Sequence, residues 1–119
     1  AGRVLIDGAI VGDVGTAVLR DRKLLSEDGL LMVLLTVDSD NGKLLREPDI
    51  ISRGFVYMKE STELMDEARR NVVRELESMS STTRSDWSQV KNRTRKNLSR
   101  FFFNRTKRRP MILVFILEV

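Results

Sequence analysis

The sequence predicts an α/β domain of the α+β type, a small mixed sheet of about three strands with two amphipathic helices packed on one face. The elements follow in the order β-β-α-α-β after an N-terminal linker and short helix. Three observations point there. Two apolar runs, "LLMVLLTV" (residues 30–37) and "MILVFIL" (residues 111–117), have the length and flanks of strands. The run "DSDNG" behind the first contains Asn41-Gly42, a pair suited to the positive φ of a hairpin turn. Between the apolar runs, two stretches repeat apolar residues at helical spacing, separated by the polar break "SMSSTTRSD".

Residues 1–29 are expected to form a linker and short helical connector, and residues 30–119 the domain. Glycines in "VGDVGTAVLRDRKLLSEDG" break any strand entering from Val4–Ile6. Val14, Ala17, Val18, Leu24 and Leu25 then line one side of a short helix that Gly29 ends. Such a helix is either a connector docked on a preceding domain or an ordinary N-terminal helix. The opening Ala-Gly-Arg suggests a processed or excised fragment. The stretch 4–11, broken by Asp7 and Gly8, lacks the apolar core of an export signal.

The return strand of the hairpin begins at Lys43, and Pro48 limits its pairing because it has no N–H to donate. Residues 50–58, "IISRGFVYM", have strand composition interrupted by Gly54, which suggests a bulge, a bend or a close backbone approach. Ser52, Arg53, Gly54 and Phe55 are therefore a candidate structural motif. Arg53 is read as pairing with a local carboxylate, ahead of a phosphate contact.

Ser61 is placed to cap the first helix, whose face carries Leu64, Ala68, Val72, Leu76 and Met79. The second helix is expected near Thr83, where Thr83-x-x-Asp86 resembles a capping box. Trp87, Val90, Thr94, Leu98 and Phe101 share its inner face. Phe103 lies about 180° from Thr94 at ~100° per residue, so it is a frayed-end residue or an aromatic anchor for a partner.

The terminal run is too short for a bilayer, which needs about 20 apolar residues. Pro110 suits the entrance of a strand. Both faces of that strand are apolar, as they are in residues 30–35, and strands buried on both faces have this pattern. Two helices cover one face of a small sheet. The other needs the N-terminal segment, a neighbouring domain or a second copy. Ile112, Val114 and Ile116, with Phe103, are the candidate interface.

Composition narrows the chemistry. The 119 residues contain no His and no Cys. An ordinary zinc site, a Ser-His pair and a Cys-His pair are thereby excluded, and a disulfide framework with them. No catalytic site, cofactor or metal is expected in this fragment. Charge is uneven: residues 1–80 hold 11 Lys/Arg against 15 Asp/Glu, and residues 81–119 hold 10 against 2. The basic third implies an anionic partner, an acidic neighbouring subunit or a solvated face.

"GDVGTAVLRDRKLLSEDG", "EPDIISRGFVYMKES" and "TKRRPMILVFILEV", in this order, resemble the C-terminal domain of bacterial ribonuclease J. The resemblance runs over nearly the whole chain. It implies a small α/β domain behind a metallo-β-lactamase domain and an inserted β-CASP domain. Those upstream domains would carry zinc (or manganese) and the 5′-to-3′ exonuclease and endonuclease chemistry on RNA. It also implies a cytoplasmic protein and a role in dimer or tetramer formation, with itself or a paralogous subunit. One departure is visible: the family's second proline, near Val114-Phe115, is absent. The departure allows longer strand pairing and an altered interface, and it is also a mark of a divergent paralogue with weak nuclease activity.

Two functions follow as expectations, and no membrane partner. Non-catalytic assembly domain is favoured. The alternative is an RNA-binding module that uses Arg84, Lys91, Arg93, Arg95, Lys96, Arg100, Arg105, Lys107, Arg108 and Arg109 as phosphate contacts. Its aromatic residues sit at core-like spacing instead of forming a stacking platform, which weighs against it.

Overall fold

Each apolar run becomes a strand in the computed structural model, which describes residues 28–54 and 62–119 and the strand backbone of 4–6 and 9–10. The strands are β1 (Val4–Ile6), β2 (Ala9–Ile10), β3 (Leu30–Val37), β4 (Asp49–Arg53) and β5 (Met111–Glu118). The described helices are α1 (Thr62–Glu77), α2 (Ser81–Arg84) and α3 (Trp87–Thr106). The connector helix expected before Gly29, the cap at Ser61 and the stretch from Phe55 to Met58 lie outside the described residues.

The sheet order is β2-β1-β5-β3-β4. β3 and β5 run parallel in unbroken register from Leu30↔Met111 to Val37↔Glu118. β4 is antiparallel to β3, which makes the sheet mixed as expected. The return strand expected from Lys43 is a single bridge, Val37↔Leu44, and the strand that pairs with β3 begins at Asp49, beyond Pro48. β3, β4 and β5 form one side of the sheet, and β1 and β2 widen it. β1 pairs with the last part of β5 through Val4↔Leu117, Leu5↔Ile116 and Ile6↔Phe115. The beginning of the chain thus extends the sheet sideways.

Alternation along each strand sorts the side chains into two layers. Leu31, Val33, Leu35 and Val37 of β3 and Ile112, Val114 and Ile116 of β5 join Ala68, Val72, Leu76, Val90, Leu98 and Phe102 of the helices in one core. Burying an aliphatic or aromatic side chain of this size contributes about 1.5–3 kcal/mol. This layer is therefore the main source of stability. On the opposite face Leu30 and Leu113 form a second, smaller cluster with Met32, Met111 and Phe115.

The face expected for α1 is the face observed: Ala68, Val72, Leu76 and Met79 are buried, and Leu64 packs against them. The second helix differs from expectation in two places. Ser80, whose Oγ accepts from the Thr83 N–H at 3.1 Å, caps the short α2. Asp86 caps α3 by accepting from the Ser88 and Gln89 N–H groups, so the long helix begins at Trp87 and not near Thr83. The buried aromatic is Phe102, with Phe101 half-buried edge-on to it at 5.0 Å between centroids. Residues three and four beyond Leu98 both lie near its face, and the inner of the two is the fourth.

Two glycines hold tight approaches. Gly42 (φ +72) closes the hairpin turn, where its N–H donates to the Asp38 carbonyl at 2.8 Å. A Cβ there would meet the Arg84 carbonyl at 2.8 Å. Gly29 (φ +86) lies against the end of β4, where a Cβ would meet the Arg53 oxygen at 2.9 Å and the Gly54 carbonyl carbon at 2.9 Å. Of the readings open for Gly54, both the bend (φ +71) and the close backbone approach are present.

Two substitutions test this packing. Thr94 is fully buried and its Oγ1 has no hydrogen-bond partner among the described residues. Thr94→Val removes the orphan hydroxyl at nearly constant volume and should stabilise the chain by about 1 kcal/mol, read as a rise in thermal midpoint. Gly29→Ala forces a side chain into the β4 backbone at positive φ and should destabilise by at least ~1 kcal/mol in urea unfolding.

Candidate assembly edge and nucleic-acid interface

The terminal strand offers less surface than its sequence suggests. Ile112, Val114 and Ile116 are 5%, 0% and 0% exposed, because they face α1 and α3. They belong to the core and are not available to a partner, which corrects their reading as interface residues. The helix-free face carries the alternate set, Met111, Leu113 and Phe115, and on the neighbouring strand Leu30 and Met32. Next to them Ile51 of β4 is 46% exposed.

Among the described residues β4 lies at the end of the sheet order, with β3 as its one sheet neighbour. Its outward residues Asp49, Ile51 and Arg53 stand beside Leu34, Met32 and Leu30. Met32, Leu34, Ile51 and Phe115 line an apolar depression with Asp49 and Arg69 at its rim. Asp49 pairs with Arg46 at 3.5 Å. Arg53 donates to the Ser52 carbonyl at 2.8 Å, where the sequence reading had given it a local carboxylate.

The ten cations proposed for RNA fall into separate groups. Arg84 donates to the Met79 carbonyl at 2.9 Å and reaches the Asn41 carbonyl at 3.5 Å, fastening the hairpin turn to α2. Lys91 is 2% exposed. Arg93 binds the Glu75 carboxylate through Nε at 2.9 Å and Nη2 at 2.5 Å, joining α3 to α1. Arg108 faces Asp28 at 3.5 Å, and the Arg109 N–H donates to the same carboxylate at 3.0 Å. Arg84 and Arg93 thus fasten elements of the fold, and Lys91 is enclosed.

Other cations lie on the surface. Arg95 is half-buried and donates to Asn92 at 3.1 Å. Lys96 and Arg100 are exposed. Arg105 pairs with Glu67, and its guanidinium carbon lies 5.4 Å from the Phe101 ring. Phe103 is half-buried between Lys107 Nζ at 5.3 Å and the Arg109 guanidinium at 4.5 Å. The helix runs on to Thr106, so Phe103 is not a frayed end. Lys107 takes the left-handed cap conformation (φ 59), which brings this basic turn back over the ring.

The sequence reading missed Arg70 and Arg74 of α1. They face Arg100 and Arg105 of α3 across a groove between the two helices. The signal was present as a pair four residues apart, but a count of charge by chain third concealed it. Among the described residues no group of three or more carboxylates gathers that could hold a metal. With no His or Cys in the sequence, this chain does not fit the metal implied for the upstream domains. No described helix is long and apolar enough to cross a membrane.

A family model for the ribonuclease J C-terminal domain matches residues 17–119. The chain is 46% identical over 119 residues to Ribonuclease J 2 of Staphylococcus epidermidis, and 44% identical over the same length to Ribonuclease J 2 of Staphylococcus aureus. These alignments cover 100% of this chain and 21% of each relative, so the chain spans about a fifth of the length of the curated relatives it matches. By sequence match over nearly its whole length, the chain belongs to the ribonuclease J C-terminal domain family.

Proposed function

We propose that this chain is the non-catalytic assembly domain of a ribonuclease J enzyme, and that it joins two copies through the free edge of β4. The observation that supports the reading is the order of residues along that edge, Asp49-Ile50-Ile51-Ser52-Arg53. Laid antiparallel about a twofold axis at Ile51, two such strands set Ile51 against its own copy. Asp49 then stands opposite Arg53 of the partner subunit, and the reciprocal pair forms on the other side. Opposite charges facing each other across antiparallel strands contribute roughly 0.2–1 kcal/mol per pair.

The pairing also accounts for the exposed Ile51 and the apolar depression beside it. Monomeric proteins usually blunt a free edge strand or cover it. In this reading RNA cleavage, exonucleolytic from the 5′ end or endonucleolytic, belongs to metallo-β-lactamase and β-CASP domains upstream. Zinc or manganese would be bound there too, in a cytoplasmic enzyme. A paralogous subunit with the same edge charges would be an equivalent partner.

Sedimentation of four proteins tests the edge. Asp49→Arg and Arg53→Asp each replace two attractive pairs by two repulsive ones, which weakens association by about 1–4 kcal/mol. Each single variant should sediment as a monomer at a concentration where the parent is a dimer. The double variant, with the charges exchanged, should recover the dimer. Single variants that keep the parent's mass would contradict the proposed edge.

A further inference from the structure

The groove between α1 and α3 has no part in the sheet edge, and its chemistry differs. Arg70 and Arg74 form one wall, Arg100 and Arg105 the other, with Asn97 and Phe101 between them. Among the described residues Glu67 is the one carboxylate that lines it, and Glu67 is already paired with Arg105. Arg74 reaches Asn71, a neutral amide. Arg70 and Arg100 are exposed and have no ion-pair partner among the described residues. Like charges four residues apart on a helix repel each other, so Arg70 and Arg74 gain from an anion placed between the walls.

A second observation lies at the groove floor. Asn97 donates through Nδ2 to the Glu75 carboxylate at 3.1 Å, which fixes the orientation of its amide. Its Oδ1 therefore faces away from that bond, and it is a buried acceptor with no partner. Phe101 is half-buried, with the Arg105 guanidinium near its ring. Guanidinium groups match phosphate oxygens in a planar, two-point geometry. The half-exposed Phe101 ring offers a surface on which a base can stack.

We infer that the α1–α3 groove binds the phosphodiester backbone of single-stranded RNA, with Arg70, Arg74, Arg100 and Arg105 on the phosphates. The stretch from Glu67 to Arg74 rises about 10 Å along α1, the span of about three stacked nucleotides. The groove lies on the outer side of the helices and the β4 edge belongs to the sheet, so one molecule can assemble and hold RNA at once. The inference rests on the RNA-processing part of the proposed function and is independent of dimer formation.

The test is fluorescence anisotropy of a labelled oligouridylate of about twelve nucleotides, at two salt concentrations, with this chain. Arg70→Gln with Arg100→Gln removes two exposed charges that make no ion pair among the described residues. The double variant should bind roughly tenfold more weakly, and the logarithmic salt slope should fall by about 1.4, at ~0.7 per contact with a single strand. Lys107→Gln with Arg109→Gln, which carries the same loss of charge elsewhere, should change affinity less than about twofold. The inference is overturned if Arg70→Gln/Arg100→Gln binds like the parent, if both double variants lose equally, or if polyglutamate competes as well as the RNA. Sedimentation of the same samples separates the two readings: a monomer that still binds RNA through the groove contradicts the edge and retains the groove.

Discussion

The parallel pairing of β3 with β5 is the constraint on which the rest of this structure depends. It brings residues 30–37 beside residues 111–118 in one continuous register. Parallel strands require a crossover, and everything between them (the hairpin, β4, α1, α2 and α3) is that crossover. The connection returns on one side of the sheet, so one layer of β3 and β5 is sealed by helices. The ends of the crossover are pinned locally. The Met111 N–H donates to the Gly29 carbonyl at 3.0 Å, and the Trp87 indole N–H donates to the Glu118 carboxylate at the far end.

One-sided coverage has consequences for charge as well as for apolar surface. The helices turn their inner stripes to the sheet, and the arginines that remain are divided between fastening and display. Arg93 and Glu75 tie α3 to α1 near the α2 turn, and Arg84 ties the hairpin to the same region. Beyond that tie the groove opens between the two helices, lined by Arg70, Arg74, Arg100 and Arg105. The uneven charge of the sequence thus separates into a structural set and an outward set, while the sheet offers a different kind of surface at β4. The proposed assembly edge and the proposed anion groove use different residues.

The strands were legible because continuous apolar runs of seven or eight residues have few alternatives once a membrane span is ruled out by length. The hairpin was legible from Asn41-Gly42, and α1 from a clean stripe ending in Met79. Which face of β5 meets the helices was not. With Ile, Val and Ile on one side and Met, Leu, Phe and Leu on the other, alternation gives no sign to choose by. The chosen interface residues Ile112, Val114 and Ile116 proved to be core. The same limit applies to arginine: sequence shows where cations are, and only the fold shows which of them face Glu75 or a backbone carbonyl. The joining of β1 to β5 rests on three paired residues, too few to read from pattern.

Hydrogen exchange followed by mass spectrometry at two protein concentrations bears most directly on the account, because it reports the strands one by one. β3 and β5 are paired on both sides or buried beneath helices, so their amides should be protected equally at both concentrations. β4 has one sheet neighbour among the described residues, so under the proposed assembly the protection of residues 49–53 should rise with concentration. Protection of β4 that is the same at both concentrations, in a chain whose β3 and β5 stay protected, would contradict assembly through this edge.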